Sequence, residues 1–146
     1  MRSEIGCVVL AVCAIGCRKR APEFRDAHVP PPPGELRGTF ALTYYWVSAD
    51  NPGIGVKDDP LVPYVSVAID PTVIAIGSRL YVRELDGTTL PGGGTSDGCV
   101  VAADVGGRIK GNKLDWFVGQ RASYQELDAR IQLTHVTVHA GGERCP

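Results

Sequence analysis

The sequence predicts a mainly β, turn-rich fold over residues 37–146, and three observations carry that expectation. Eighteen Gly and eleven Pro punctuate the chain, and these are the residues that end regular elements and build turns. Between them lie short runs with β-branched residues at alternate positions, such as Tyr64-Val-Ser-Val-Ala-Ile69 and Leu133-Thr-His-Val-Thr-Val138. That is the pattern of strands rather than helices. Hydrophobic residues make up 44% and charged residues 21%, close to globular averages, so the core of one ordinary domain is available. The formal net charge of −1 gives no electrostatic reason to expect nucleic acid as a partner.

Residues 1–17 read as an export signal. Arg2 supplies positive charge, residues 5–16 are almost wholly apolar, and such a run is too short to span a bilayer comfortably. Ala14-Ile15-Gly16-Cys17 resembles the lipobox of bacterial lipoproteins, whose cysteine is acylated and becomes the new N-terminus. The resemblance implies a lipid on Cys17, a membrane anchor, and a place in the bacterial cell envelope facing the periplasm or wall. Ala14 stands where leucine is commoner and Glu4 is unusual in a basic leader. Ordinary signal cleavage and a retained apolar tail are the alternatives. Residues 18–36 read as a linker, opening on Arg18-Lys19-Arg20 and carrying prolines at 30–33, which must be extended. After a lipid anchor, such a tether would hold a domain off the membrane.

The first strand is expected at 39–47, where β-branched and aromatic residues gather. Residues 48–63 carry Asp50-Asn-Pro-Gly53 and Asp58-Asp-Pro60 and read as a long loop, often a binding rim in a compact domain. Strands follow at 64–69 and, after Gly77, at 79–83. Residues 84–98, with Gly92-Gly-Gly94, read as a hairpin-like connection without a phosphate-loop pattern. A fourth strand at 99–103 ends in Asp104, and Asp115 opens a fifth with Trp116 and Phe117. Ser123-Tyr-Gln-Glu126 matches a capping box, so one short helix is expected to about Arg130. The last strand is expected at 131–140. Its apolar phase slips between Leu133 and Val136, which suggests a bulge or burial on both faces.

The candidate site lies between the fourth and fifth strands. Gly106, Gly107 and Gly111 permit a loop that folds back and sets Asp104 and Asp115 side by side. Two acids flanked by Leu114, Trp116 and Phe117 provide a way to raise one carboxyl pKa for proton transfer. A pair of solvated loop ends is the plainer alternative. Gly106, Gly107, Lys110 and Asn112, with Tyr45, are the candidate substrate contacts. His135 and His139 share a strand face, but without a third ligand they read as a solvated stripe, and neither metal nor cofactor is expected. Cys7 and Cys13 would leave with the signal. Cys99 and Cys145 then remain as an even pair in an oxidising setting, either bridged or as two free thiols.

Val67-Ala-Ile-Asp-Pro-Thr-Val-Ile-Ala-Ile-Gly-Ser-Arg-Leu-Tyr-Val82, followed by Ala102-Ala-Asp-Val-Gly-Gly-Arg-Ile-Lys-Gly-Asn-Lys-Leu-Asp115, resembles the three-aspartate (3D) domain. That domain occurs in the membrane-bound lytic transglycosylase A family and related bacterial wall-active proteins. The resemblance covers about residues 40–119, and its three aspartates fall on Asp70, Asp104 and Asp115. It implies a six-stranded double-psi β-barrel with the carboxylates gathered at one end of a groove. It also implies peptidoglycan glycan strands as substrate, cut between N-acetylmuramic acid and N-acetylglucosamine to leave a 1,6-anhydro sugar. By position, Asp115 resembles the acid/base, and Asp104 and Asp70 resemble carboxylates that position it and raise its pKa. Val105 stands where the family usually has threonine, and Ala75 replaces a usual proline. A non-catalytic wall-binding or wall-loosening barrel of the barwin or expansin sort is the competing expectation.

Overall fold

The structure, a computed structural model, describes residues 29–146. The signal segment with Cys7, Cys13 and Cys17, and the basic run at 18–20, lie outside the described residues. Six strands, β1 (Leu36–Tyr45), β2 (Ser66–Ile69), β3 (Arg79–Val82), β4 (Cys99–Val105), β5 (Lys113–Phe117) and β6 (His135–Ala140), are joined by one helix, α1 (Arg121–Ile131), between β5 and β6. The strands close into a barrel in the order β1-β5-β2-β4-β3-β6, so among the described residues no strand edge is left to pair with another chain. β1 and β5 are parallel, as are β2 and β4, and the remaining four pairs are antiparallel. The mainly β expectation holds, and two parallel pairs within six strands are consistent with a double-psi arrangement.

Alternation along each strand fills the barrel. Phe40 and Leu42, Val67 and Ile69, Leu114 and Trp116, Val136 and Val138 point inward from four different strands and are all 5% exposed or less. Their neighbours of opposite parity face outward, as a period of two requires. Burying one such side chain is worth roughly 1.5–3 kcal/mol. The helix adds little to this core, since Leu127 is its one fully buried residue. It lies over β1, where Tyr124 packs on Trp46 and Tyr44.

Several boundaries differ from expectation. The helix begins at Arg121, with Gln120 before it making no side-chain cap. Ser123 and Glu126 therefore lie inside the helix, and Glu126 pairs with Arg130 at 3.0 Å one turn on instead of closing a capping box. Gln132, at φ +40, ends the helix in the left-handed region. The apolar slip between Leu133 and Val136 is thus the junction between helix and strand, and β6 starts only at His135. A bulge occurs elsewhere, in β4, where the register against β2 jumps between Ala102 and Asp104. β3 stops at Val82, and Glu84 in the following turn accepts hydrogen bonds from the Thr137 N–H and hydroxyl at 2.6 and 2.8 Å. At the other end of β1, Gly34 and Glu35 already pair with Ala140.

Candidate active site

The barrel's outer wall carries a row of four residues in register across four strands. Thr43 on β1 pairs with Asp115 on β5, Asp115 pairs with Ala68 on β2, and Ala68 pairs with Asp104 on β4. Asp104 and Asp115 are therefore not side by side. β2 runs between their strands, so their backbones stand about 9.5 Å apart, two strand spacings. The Ala68 methyl stands between them, and both carboxylates line a groove of about 510 Å³ with Ala68 as part of its floor. Asp115 lies in the middle of β5 rather than opening it.

The β4 bulge puts Asp104 on this face. Val100 and Ala102 point into the core, and strict alternation would send residue 104 in with them. One extra residue at 103 reverses the phase and turns Asp104 outward, a common use of bulges beside functional sites. The displaced Ala103 carbonyl accepts the Val56 N–H at 3.1 Å. This fastens the 48–63 loop against the bulge. A side chain at Gly55 would place its Cβ 2.5 Å from that carbonyl oxygen, so the close approach requires glycine.

The two carboxylates have different surroundings. Both oxygens of Asp104 are engaged, Oδ2 by the Tyr45 hydroxyl at 3.2 Å and Oδ1 by the Val105 N–H at 2.9 Å. Asp115 accepts one short bond, from the Thr43 hydroxyl to Oδ1 at 2.6 Å, and its Oδ2 has no partner among the described residues. Burial pushes the Asp115 carboxyl above the usual carboxylate range. The Thr43 bond and Lys113 offset part of that push, and the Asp104 charge adds to it. The Tyr45 hydroxyl is raised strongly, by burial first and then by Asp104, so it stays protonated and donates.

Asp70 is elsewhere in its chemistry. Its Oδ2 accepts the Gly111 N–H at 2.8 Å and its Oδ1 accepts the N–H and hydroxyl of Thr72 at 3.0 and 2.7 Å. Those bonds, that from Gly111 foremost, hold its pKa down to about 2. It does not line the groove and is not among the groups that shift Asp115. The expected role in raising the Asp115 pKa is replaced by that of a clasp, which ties the 106–112 loop to the end of β2 at Gly111, whose φ is +64.

Of the expected substrate contacts, Gly106, Gly107 and Tyr45 line the groove, and Lys110 and Asn112 do not. The clasp at Gly111 carries them past it, and the Asn112 amide reaches the Thr39 carbonyl at 3.5 Å instead. Arg108, Ile109, Asp50, Asn51 and Val105 complete the lining. Thr43 and Ala68 were not expected. A signal for Thr43 existed, because Thr43 and Tyr45 have the parity opposite to Phe40 and Leu42. His135 and His139 sit four residues apart on one strand, about 13 Å along it. His139 lies against the Gly34 carbonyl and His135 against the Thr134 hydroxyl. Among the described residues no cluster of three or more metal-ligating side chains occurs. Cys99 and Cys145 are joined in a disulfide, with Cα atoms 5.5 Å apart.

Comparison with known proteins gives three findings. Residues 65–133 match the family model of the 3D domain. Two Bacillus subtilis proteins are similar over stretches of about that length. The cell wall-binding protein YocH is 41% identical over 70 residues, 48% of this chain and 20% of its own. YabE is 34% identical over 71 residues, 49% of this chain and 14% of its own. The chain thus matches a fifth or less of either relative's length. Among solved structures, E. coli MltA with bound chitohexaose is 29% identical over 60% of this chain and 27% of its own, with a TM-score of 0.41.

Proposed function

We propose, from the match of residues 65–133 to the 3D domain model, that this chain is an envelope protein that cleaves the glycan strands of bacterial peptidoglycan as a lytic transglycosylase. The observation that carries the catalytic part is the inequality of the two groove carboxylates. Asp104 has both oxygens occupied, while Asp115 has one oxygen fixed by Thr43, the other without a partner among the described residues, and a pKa pushed up by burial. A carboxyl that is protonated more readily than usual and has one free oxygen is suited to general acid catalysis.

In the proposed reaction, the Asp115 proton passes to the glycosidic oxygen as the bond from that oxygen to C1 of N-acetylmuramic acid breaks. The 6-hydroxyl of the same sugar then closes on C1, and its proton returns to Asp115. One bond to C1 is exchanged for another, water is not consumed, and the product is the 1,6-anhydro sugar. An intramolecular nucleophile explains why one working carboxyl suffices where hydrolytic glycosidases need two. Asp104, held by Tyr45 on the groove wall, turns its carboxyl dipole toward the positive charge that develops at C1. Lipidation at Cys17, in this reading, keeps the domain at a membrane within the envelope.

The test is digestion of purified sacculi with the mature chain, followed by mass spectrometry of the released muropeptides. Anhydro-ended products are expected, and Asp115→Asn should release at least about a hundredfold less while still sedimenting with sacculi. Equal release by wild type and Asp115→Asn would remove the mechanism. A second reading, a wall-binding module without turnover, is favoured by the cell wall-binding relative and by Val105, which puts a methyl group at the lip of the groove where the family usually has a hydroxyl. Binding of sacculi with no products from wild type would establish it.

A further inference from the structure

The carboxylate groove does not end at Tyr45. A second, shallower depression of about 250 Å³ adjoins it, formed by Tyr44, Tyr45, Trp46, Ser48 and Asn51. Tyr45 and Asn51 belong to both, so a linear ligand lying over the carboxylates continues into it without leaving the surface. We propose that this depression is an additional subsite that holds a neighbouring sugar ring of the same glycan strand. The proposal rests on the reading of the groove as a glycan site and deepens it.

Three properties of the depression select a neutral sugar ring. Its wall is aromatic and braced. Trp46 stacks on Tyr124 of the helix at 4.9 Å and 19°, so its ring is held in place before a ligand arrives. A pyranose presents an apolar face of C–H groups that fits a flat ring of this kind. Its floor is polar in the sense that hydroxyls need. Ser48 and Asn51 pair through their backbones at 2.8 and 3.2 Å, and the Asn51 Oδ1 accepts the Gly53 N–H at 2.9 Å. That bond orients the amide, leaving its N–H₂ and the Ser48 hydroxyl without partners among the described residues. None of the five lining residues is charged, so the depression offers no countercharge to the carboxylates of a stem peptide. An aromatic wall with a few fixed polar groups is the general composition of small-ligand sites.

The chain's two tryptophans make the test direct. Trp116 is fully buried, so shielding of tryptophan emission from acrylamide by a ligand reports on Trp46. The probes are the hexamer of N-acetylglucosamine and an acidic stem peptide without sugar, each titrated into the full-length chain. Saturating hexamer is expected to shield Trp46, and the peptide is expected to leave it accessible. Trp46→Ala should weaken hexamer binding about tenfold, and Trp46→Tyr should restore most of it. Hexamer binding with Trp46 still quenchable, and with no loss in Trp46→Ala, overturns the subsite and leaves the groove reading intact. Shielding by the peptide in place of the hexamer also overturns it. Failure of wild type to bind either hexamer or sacculi overturns both.

Discussion

At Asp115 a single hydroxyl sets both geometry and proton affinity. Thr43 fixes one carboxyl oxygen at 2.6 Å and, by favouring the ionised form, partly offsets the upward push of burial. In Thr43→Val that restraint is gone and the Asp115 pKa rises further. A raised acid pKa extends the protonated state to higher pH, so the descending limb of the activity–pH profile should move to higher pH. Maximal turnover should meanwhile fall about tenfold as orientation is lost, and Thr43→Ser should recover both. A purely structural role for Thr43 would lower activity without moving the limb. The aspartates were legible in the sequence because carboxylates in a glycine-rich stretch are conspicuous. For Thr43 only the outward face was legible, from its shared parity with Tyr45, since a lone threonine on a strand carries no chemistry until register sets it opposite Asp115.

Two local devices hold the groove's walls, and each has its own consequence. The first is the bulge in β4 with the 48–63 loop seated on its carbonyl. Gly55→Ala drives a methyl into the Ala103 oxygen, so the loop must lift. A stability loss of about 1–3 kcal/mol in denaturant unfolding is expected, with weaker sacculus binding because Asp50 and Asn51 move with the loop. The second device is the Asp70 clasp. Its folded pKa of about 2 lies below the ordinary 3.8, so its contribution to stability is fully present above about pH 4. It is lost as pH falls toward 2. In acid titration followed by near-UV circular dichroism, Asp70→Asn should be less stable than wild type at neutral pH, and that deficit should shrink between pH 4 and 2. An undiminished deficit would dissociate the clasp from ionisation. Strand positions were largely readable from alternation. The helix start was not, because Ser123 and Glu126 have the spacing of a cap while Gln120, which precedes the helix, has no capping bond to advertise it.

Across the whole molecule, the disulfide ties the last residues to the start of β4, closing a loop over a sequence separation of 46. Closure of that length is worth about 2–4 kcal/mol through the unfolded chain. Reduction, or Cys99→Ser with Cys145→Ser, should lower the thermal midpoint in calorimetry while leaving the groove able to bind sacculi, since Cys99 lies at the end of β4 away from Asp104. An unchanged midpoint would show that the bridge adds no stability. Strand order was the least legible property from composition and spacing alone. The loop between Asp104 and Asp115 invites a hairpin, and nothing local reveals that β2 intervenes through pairings made far along the chain.

That intervening strand has a consequence for how the site can change. In a hairpin, the gap between two side chains varies with turn and slip. Here it is a count of strands in a closed ring, and the ring permits only whole numbers. The loops above Asp104 and Asp115 can be lengthened, shortened or replaced while the spacing between the two backbones stays the same. Only the reach of the side chains is adjustable, one methylene at a time between aspartate and glutamate, so under the proposed reaction the carboxylates are insulated from changes in the loops around them.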